Sequence, residues 1–357
     1  MLEQGSYQTR ISNIDPIAED SLFIALTALI TLLPAIAVAG QAGHGHGNDD
    51  HGGNPTYPQP FHKNDLKALV TFGDSYTDTT WITNGGTIQW PQYVARYAGI
   101  DLYPYAKSGA TCSNNITYRP FPPIPTFLGD ERNHTIRLNE RETLYSLWIG
   151  TNDIGVSSLL TGDNKASIVD VTECMINWVT TMYEHGARNF LFQNMVPLEL
   201  TPLYSADSWP NRYWHLERNT TEWSVTVREL VLSGNALTKL MLGNLASKLH
   251  DINNGSRSGL MIGLFDSHTL FGDMYANPGN YLNGTAPAFN VTGCVDSCIY
   301  QVGESNESIC TMVNGTDRDS YLWYDELHPS EQADRHVAKE VANIFEGTGS
   351  KFVTWLS

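Results

Sequence analysis

Positive charge is scarce in this chain. Lys and Arg together number 21 against 38 Asp and Glu, a net charge of −17 over 357 residues. A surface that acidic repels polyanions, which excludes nucleic acid and anionic membrane surfaces as partners and suits a neutral or weakly charged ligand. A long apolar run is also lacking. Leu22 to Leu33 is apolar apart from Thr27 and Thr31 and stops at Pro34, short of the ~20 residues that a stable membrane span requires. No internal repeat and no mid-chain linker divide the sequence beyond residue 61, which argues for one domain there and against a solenoid. With 41% apolar residues, the composition is that of a globular chain with a sizeable core and not of a disordered one.

After the apolar run, Ala37-Val38-Ala39 supplies the small-residue pattern a signal peptidase reads. Residues 1–39 are therefore expected to be a signal peptide. Its leader is unusual, carrying Glu3, Asp15, Glu19 and Asp20 against Arg10, where such peptides normally begin positively charged. Residues 40–60 are rich in Gly, His and Pro without apolar periodicity and read as a linker. Its His44, His46 and His51 have at most occasional metal affinity. Asn-x-Ser/Thr triplets at Asn115, Asn133, Asn219, Asn254, Asn283, Asn290, Asn306 and Asn314 fit a secreted glycoprotein.

Cysteine is sparse as well, at five residues: Cys112, Cys174, Cys294, Cys298 and Cys310. In an oxidising compartment they should pair and leave one over, in a connectivity the sequence does not specify. The last three crowd into a loop-like segment rich in Gly, Ser and Asn. A zinc site there competes with a disulfide, but no second metal-spaced pair is present.

From residue 61 onward, strand-like and helix-like segments alternate. Short apolar runs at 66–72, 101–106, 142–150, 188–196 and 259–266 read as strands. Helical spacing marks 88–99, 166–187, a long stripe from Leu216 to Leu249, and 331–345. Alternation of this kind argues for a parallel sheet covered on both faces, and residues 61–357 are expected to form that domain.

In open α/β sheets ligands bind at the carboxyl ends of the strands, so the polar residues there are the candidates for chemistry. The first strand ends at Gly73-Asp74-Ser75, the second is followed by Gly109, the third by Asn152, and Asp325 stands three residues before His328. Serine is a weak nucleophile without an adjacent base. His328 is the base available, with Asp325 to fix its tautomer. The backbone N–H groups of Ser75 and Gly109 and the Asn152 amide are the donor types an oxyanion needs, and a side chain at 109 would obstruct the substrate carbonyl. Each element alone has a plainer reading. Ser75 and Ser330 suit helix caps, Asp78 and Thr79 suit a cap of the following helix, and Asp74 and Asp153 suit turns. Trp81, Trp90, Trp209, Trp214 and Trp223 are mostly core, with one or two able to stack on a sugar. His134, His215, His268 and His336 lack a partner pattern and read as structural. Thr77 excludes the Gly-x-Ser-x-Gly elbow at Ser75.

Taken in order, "FGDSYTDT", "SGATCSNN", "WIGTNDIG" and "DELHPS" resemble the four blocks of the GDSL, or SGNH, hydrolases. The resemblance spans roughly residues 66–344. It implies an α/β fold, a flavodoxin-like three-layer α/β/α sandwich on a parallel five-stranded sheet. It also implies roles: Ser75 as nucleophile, Gly109 and Asn152 as oxyanion donors, Asp325 as orienter and His328 as general base, with no metal or cofactor. "GATCSNN", "WIGTNDIG" and "LWYDELHPSEQADRH" are similar to fungal carbohydrate esterase family 16. That similarity implies a secreted acetylesterase acting on acetylated oligosaccharides from hemicellulose, expected to work as a monomer without stable membrane association. Two alternatives remain open at this point: a lipase or phospholipase acting on longer acyl esters, and a catalytically idle wall-binding glycoprotein.

Overall fold

The computed structural model describes residues 57–81, 86–118, 123–163, 165–252, 259–306 and 308–356. The expected signal peptide, and the linker up to residue 56, lie outside them.

The five expected strands form side by side. They are β1 (Ala68–Gly73), β2 (Asp101–Pro104), β3 (Thr143–Trp148), β4 (Asn189–Gln193) and β5 (Met261–Phe265), all parallel, in the order β2-β1-β3-β4-β5. In β1, β3, β4 and β5 the side chains alternate cleanly between two cores, as in a pleated strand buried on both faces, while β2 is the partly exposed edge. Leu69, Leu144, Trp148, Leu191 and Phe265 point to one side. There they meet Val94 of α1 (Trp90–Ala98), Phe271 of α6 (Ser267–Ala276) and Val337 and Val341 of α7 (Glu331–Phe345). Val70, Phe72, Tyr145, Phe190, Phe192 and Leu264 point to the other. They pack on Phe127 of α2 (Pro123–Arg132), Met175 and Trp178 of α4 (Ile168–Glu184), and Leu242 and Ala246 of α5 (Thr220–Ile252). The result is a three-layer α/β/α sandwich.

The sheet has a sixth member that the sequence pattern does not predict. A three-residue strand, β10 (Val353–Trp355), pairs antiparallel with β5 at the sheet edge, and three residues are too few to register as a period. The segment read as loop-like around the cysteines also holds strands. β6 (Asn290–Cys294) pairs with β9 (Tyr321–Trp323), while β7 (Asp296–Tyr300) and β8 (Ser308–Met312) form a hairpin. Cys298 and Cys310 sit opposite each other in that hairpin and are disulfide-bonded. This leaves no thiol trio for zinc. Cys112 is bonded to Cys174 of α4, and buried Cys294 is the one left over.

Among the described residues no helix is long and apolar enough to cross a membrane. The chain leaves β1 for β2 on one side and returns to β3 on the other. The crevice at the carboxyl ends of β1 and β3 is thus the switch point where such sheets bind ligands.

Candidate active site

The turn after β1 begins at Gly73, whose φ of 148° and approach to the Trp148 carbonyl leave no room for a side chain. The Asp74 carbonyl then accepts from the N–H groups of Thr77 and Asp78, which lifts Ser75 to the head of the turn. Asp74 Oδ1 accepts from the Tyr76 N–H at 3.0 Å, the turn-fixing role its residue type suggested. The neighbouring Tyr76, buried, donates its hydroxyl to the Leu327 carbonyl at 2.7 Å. The Ser75 turn is thereby tied to a loop 251 residues away.

That loop is closed by its own sequence. Asp325 Oδ1 accepts from the backbone N–H of Leu327 at 2.9 Å and of His328 at 2.8 Å, an Asx turn. Ser330 caps α7 by accepting from the Ala333 N–H at 3.1 Å, so His-Pro-Ser is a helix start as well as the source of an imidazole. The same turn swings His328 Nδ1 onto Asp325, at 2.9 Å from Oδ1 and 3.0 Å from Oδ2. A carboxylate on that side puts the proton on Nδ1 and leaves Nε2 a bare acceptor. Nε2 lies 2.7 Å from Ser75 Oγ. Burial raises the Asp325 carboxyl, but the facing imidazole and the hydrogen bonds it receives outweigh this and hold it down to about 2. The group is a permanent anion at ordinary pH.

Ser75, Trp81, Gly109, Asn152, Tyr213 and His328 line one cavity of about 310 Å³. All five residues singled out in the sequence therefore converge here, with Asp325 directly behind His328. The N–H groups of Ser75 and Gly109 find no acceptor among the described residues. Gly109 has a φ of 79°, and a Cβ there would meet no protein atom within 4 Å. Glycine is required both for the left-handed backbone and to keep that space for a ligand. Asn152 donates one Nδ2 hydrogen to the Ala110 carbonyl at 3.0 Å; the second is available to the cavity. Three donors thus border the space in front of Ser75 Oγ, where a negative oxygen would be stabilised.

Several residues that support this arrangement were not singled out for it. Asp78, whose residue type suggests a helix cap, accepts from the Ser108 N–H and hydroxyl, each at 2.8 Å, bolting the Ser75 turn to the Gly109 loop. Burial opposes its ionisation, yet these bonds and those from Thr80 bring its carboxyl below the ordinary range. Asp153 accepts from the Cys112 N–H at 2.9 Å, joining that loop to the short helix α3 (Thr151–Ile154). Tyr213 donates to Asp325 Oδ2 at 2.7 Å and lies 2.9 Å from His328 Nδ1. The bonds within the Asx turn are of a kind local sequence hints at; the Asp78–Ser108 contact, 30 residues apart, and Tyr213, 112 residues from Asp325, leave no such signal. Of the tryptophans, Trp81 covers the His328 ring at 4.1 Å between centroids. Trp90 is fully buried, and Trp214 packs edge-on against Trp223. His215 stacks on Tyr300 and His336 bonds the Tyr281 carbonyl, structural uses as expected. Among the described residues no group of three or more His, Cys, Asp or Glu is placed to hold a metal ion.

The model of the GDSL-like lipase/acylhydrolase family matches residues 69–341 of this chain. An acetylesterase of Hypocrea jecorina is 31% identical over 343 residues, covering 84% of this chain and 93% of that protein. An acetylesterase of Thermothelomyces thermophilus is 22% identical over 316 residues, 79% of this chain and 89% of that protein. Among solved structures, an acetylxylan esterase from Geobacillus stearothermophilus aligns with a TM-score of 0.42 at 11% identity, over 82% of this chain and 99% of that one.

Proposed function

This chain belongs to the GDSL-like lipase/acylhydrolase family and is a carboxylic ester hydrolase, and on that premise we propose that it is a secreted serine esterase that removes acetyl groups from hemicellulose-derived oligosaccharides through an acyl-Ser75 intermediate. The observation that carries this reading is the unbroken relay from Ser75 Oγ through His328 to Asp325, at 2.7 and 2.9 Å, opening on three free donors.

Nε2 of His328 takes the Ser75 proton as Oγ attacks the acetyl carbonyl. The carbonyl oxygen becomes an anion among the N–H groups of Ser75 and Gly109 and the Asn152 amide. Collapse expels the sugar oxygen, which receives the proton from Nε2 and leaves as a hydroxyl. Water then repeats the sequence on the acetyl-serine, with His328 as base and then acid. Asp325 keeps Nδ1 protonated and stabilises the imidazolium in both halves.

The acetyl preference is supported by the relatives that bear the name acetylesterase. A cavity of about 310 Å³ is at the small end of ligand sites and suits an acetyl group with its sugar better than a long acyl chain. Trp81, at the cavity wall, offers an aromatic surface for that sugar. Secretion is supported by the two disulfides, and by exposed sequon residues Asn115, Asn133, Asn219, Asn283, Asn306 and Asn314. Asn290 is half-buried, and Asn254 lies outside the described residues.

The test is acetate release from acetylated xylo-oligosaccharides by the secreted protein and by its Ser75→Ala variant. The wild type is expected to release acetate and the variant none, with wild-type turnover of aryl esters falling as the acyl chain lengthens from acetate to octanoate. A wild type inert on the oligosaccharide and on aryl acetate rejects the reading, and a preference for octanoate replaces it with a lipase.

A further inference from the structure

Tyr213 occupies a position that the Ser-His-Asp relay does not account for. Its hydroxyl donates to Asp325 Oδ2 at 2.7 Å. Having used its one proton there, the phenol oxygen presents lone pairs to whatever else it meets, and it meets His328 Nδ1 at 2.9 Å. Nδ1–H therefore has acceptors on both sides, the carboxylate and the phenol. Burial and the Asp325 charge push the Tyr213 phenol well above its ordinary pKa, so it stays a donor to the carboxylate.

The residue is held there by its neighbour. Arg212 donates to Asp296 Oδ2 at 3.0 Å and to the Asp296 carbonyl at 2.6 Å, and its Nε lies 2.8 Å from Glu326 Oε2. Consecutive residues 212 and 213 thus grip consecutive acids 326 and 325. The Asn211 side chain adds acceptors for the N–H groups of Tyr213 and Trp214 at 3.1 and 3.2 Å. A tyrosine pinned this firmly at both backbone and hydroxyl is built to hold an orientation.

We propose that Tyr213 is a positioning residue of the hydrolytic reaction, fixing the plane and tautomer of His328 by bridging its Nδ1–H to Asp325. The backbone N–H groups of Leu327 and His328 hold Asp325 Oδ1 in any case; without the bridge, Oδ2 loses its hydroxyl donor and Nδ1–H its second acceptor, and the imidazole is freer to tilt away from Ser75 Oγ. The proposal rests on the esterase reading of the site.

The test compares full-length wild type with Tyr213→Phe, by steady-state kinetics on p-nitrophenyl acetate and by the strongly downfield proton resonance of the His328 Nδ1–H. Losing a hydrogen bond to a charged group at the reacting centre is expected to lower kcat by about tenfold or more, with KM within about twofold, and to shift the downfield resonance. An unchanged kcat and resonance overturns the proposal. So does a raised KM with normal kcat, which would make Tyr213 a substrate contact. Should Tyr213→Phe fail to fold, 3-fluorotyrosine placed at position 213 keeps the shape and alters only the acidity of the hydroxyl. It must move the same resonance, and failure to do so rejects the bridge. The resonance needs no turnover, so an inert wild type with a Tyr213-dependent signal refutes the esterase reading and leaves the bridge standing.

Discussion

Asp74 and Asp325 are both nearly inaccessible beside Ser75 and His328, at 1% and 2% exposure, yet their surroundings drive their carboxyls apart. Asp325 faces an imidazole and several donors and is held down to about 2. Asp74 has the Tyr76 N–H on Oδ1, while Oδ2 is buried with no hydrogen-bond partner among the described residues. Burial, reinforced by the nearby Asp153 charge, pushes it up to about 7. The two have opposite consequences for stability. Asp325 binds its proton more weakly folded than unfolded, so it contributes stability that is present above pH ~4 and lost as pH falls through about 2. Asp74 binds its proton more tightly folded, so its effect is full below pH ~4 and stability drains away as pH rises toward about 7. Asp74→Asn removes the second slope. Between pH 5 and pH 8 the variant should gain roughly 2–3 kcal/mol relative to wild type, read from urea midpoints at each pH. Parallel curves would mean that Asp74 is already ionised in the folded protein.

At the scale of elements, the insert between α6 and α7 supports the active site from behind. The β7–β8 hairpin reaches the Asp325–His328 loop through the Cys298 N–H, which donates to Glu326 Oε1 at 2.6 Å, and through Arg212, which joins Asp296 to Glu326. Glu326 is fully buried, so its charge depends on that guanidinium. Arg212→Met strands it and is expected to cost about 3–5 kcal/mol, with a loss of activity as the loop loosens. Glu326→Leu added to Arg212→Met should recover part of that stability, measured by the same denaturation midpoints. A double variant no better than the single one would assign the loss to packing. The strands of this insert were not legible in the sequence, where the segment around its three cysteines reads as loop because Gly, Ser and Asn interrupt the period-two pattern and β8 is exposed along most of its length. β1, β3, β4 and β5 were legible because burial on both faces leaves continuous apolar runs, and four helices because each carries a clear apolar stripe; the edge strand β2, only partly covered, was legible from its place in the alternation. Ser75, Gly109, Asn152, Asp325 and His328 were legible for a different reason: each stands at the end of an element in a short motif whose local geometry does most of the positioning. Tyr213, the Asp78–Ser108 tie and β10 depend on partners brought close only by the finished fold, and no spacing in the chain encodes them.

For the molecule as a whole, the net charge of −17 bears on the substrate more than on the fold. One of those negative charges, the permanent anion of Asp325, lies directly behind the cavity and is shielded on one side by His328 and Tyr213. A field of one sign around a cleft attracts or repels a charged ligand during encounter and leaves a neutral one unaffected. Salt at physiological strength screens such a field beyond ~8 Å, and screening therefore distinguishes the two kinds of substrate. For neutral acetylated xylo-oligosaccharides, kcat/KM should stay within about twofold from low salt to 0.5 M sodium chloride. For the same oligosaccharides carrying a uronic acid, kcat/KM should start lower and rise several-fold as salt is added, because repulsion slows their approach. The change should lie in kcat/KM and leave kcat alone, since a bound sugar reacts in the same local field whatever the bulk ionic strength. Faster turnover of the uronic substrate at low salt, declining as salt is added, would reverse the argument. It would place a local cluster of positive charge at the mouth of the cleft, strong enough to override the charge of the whole chain.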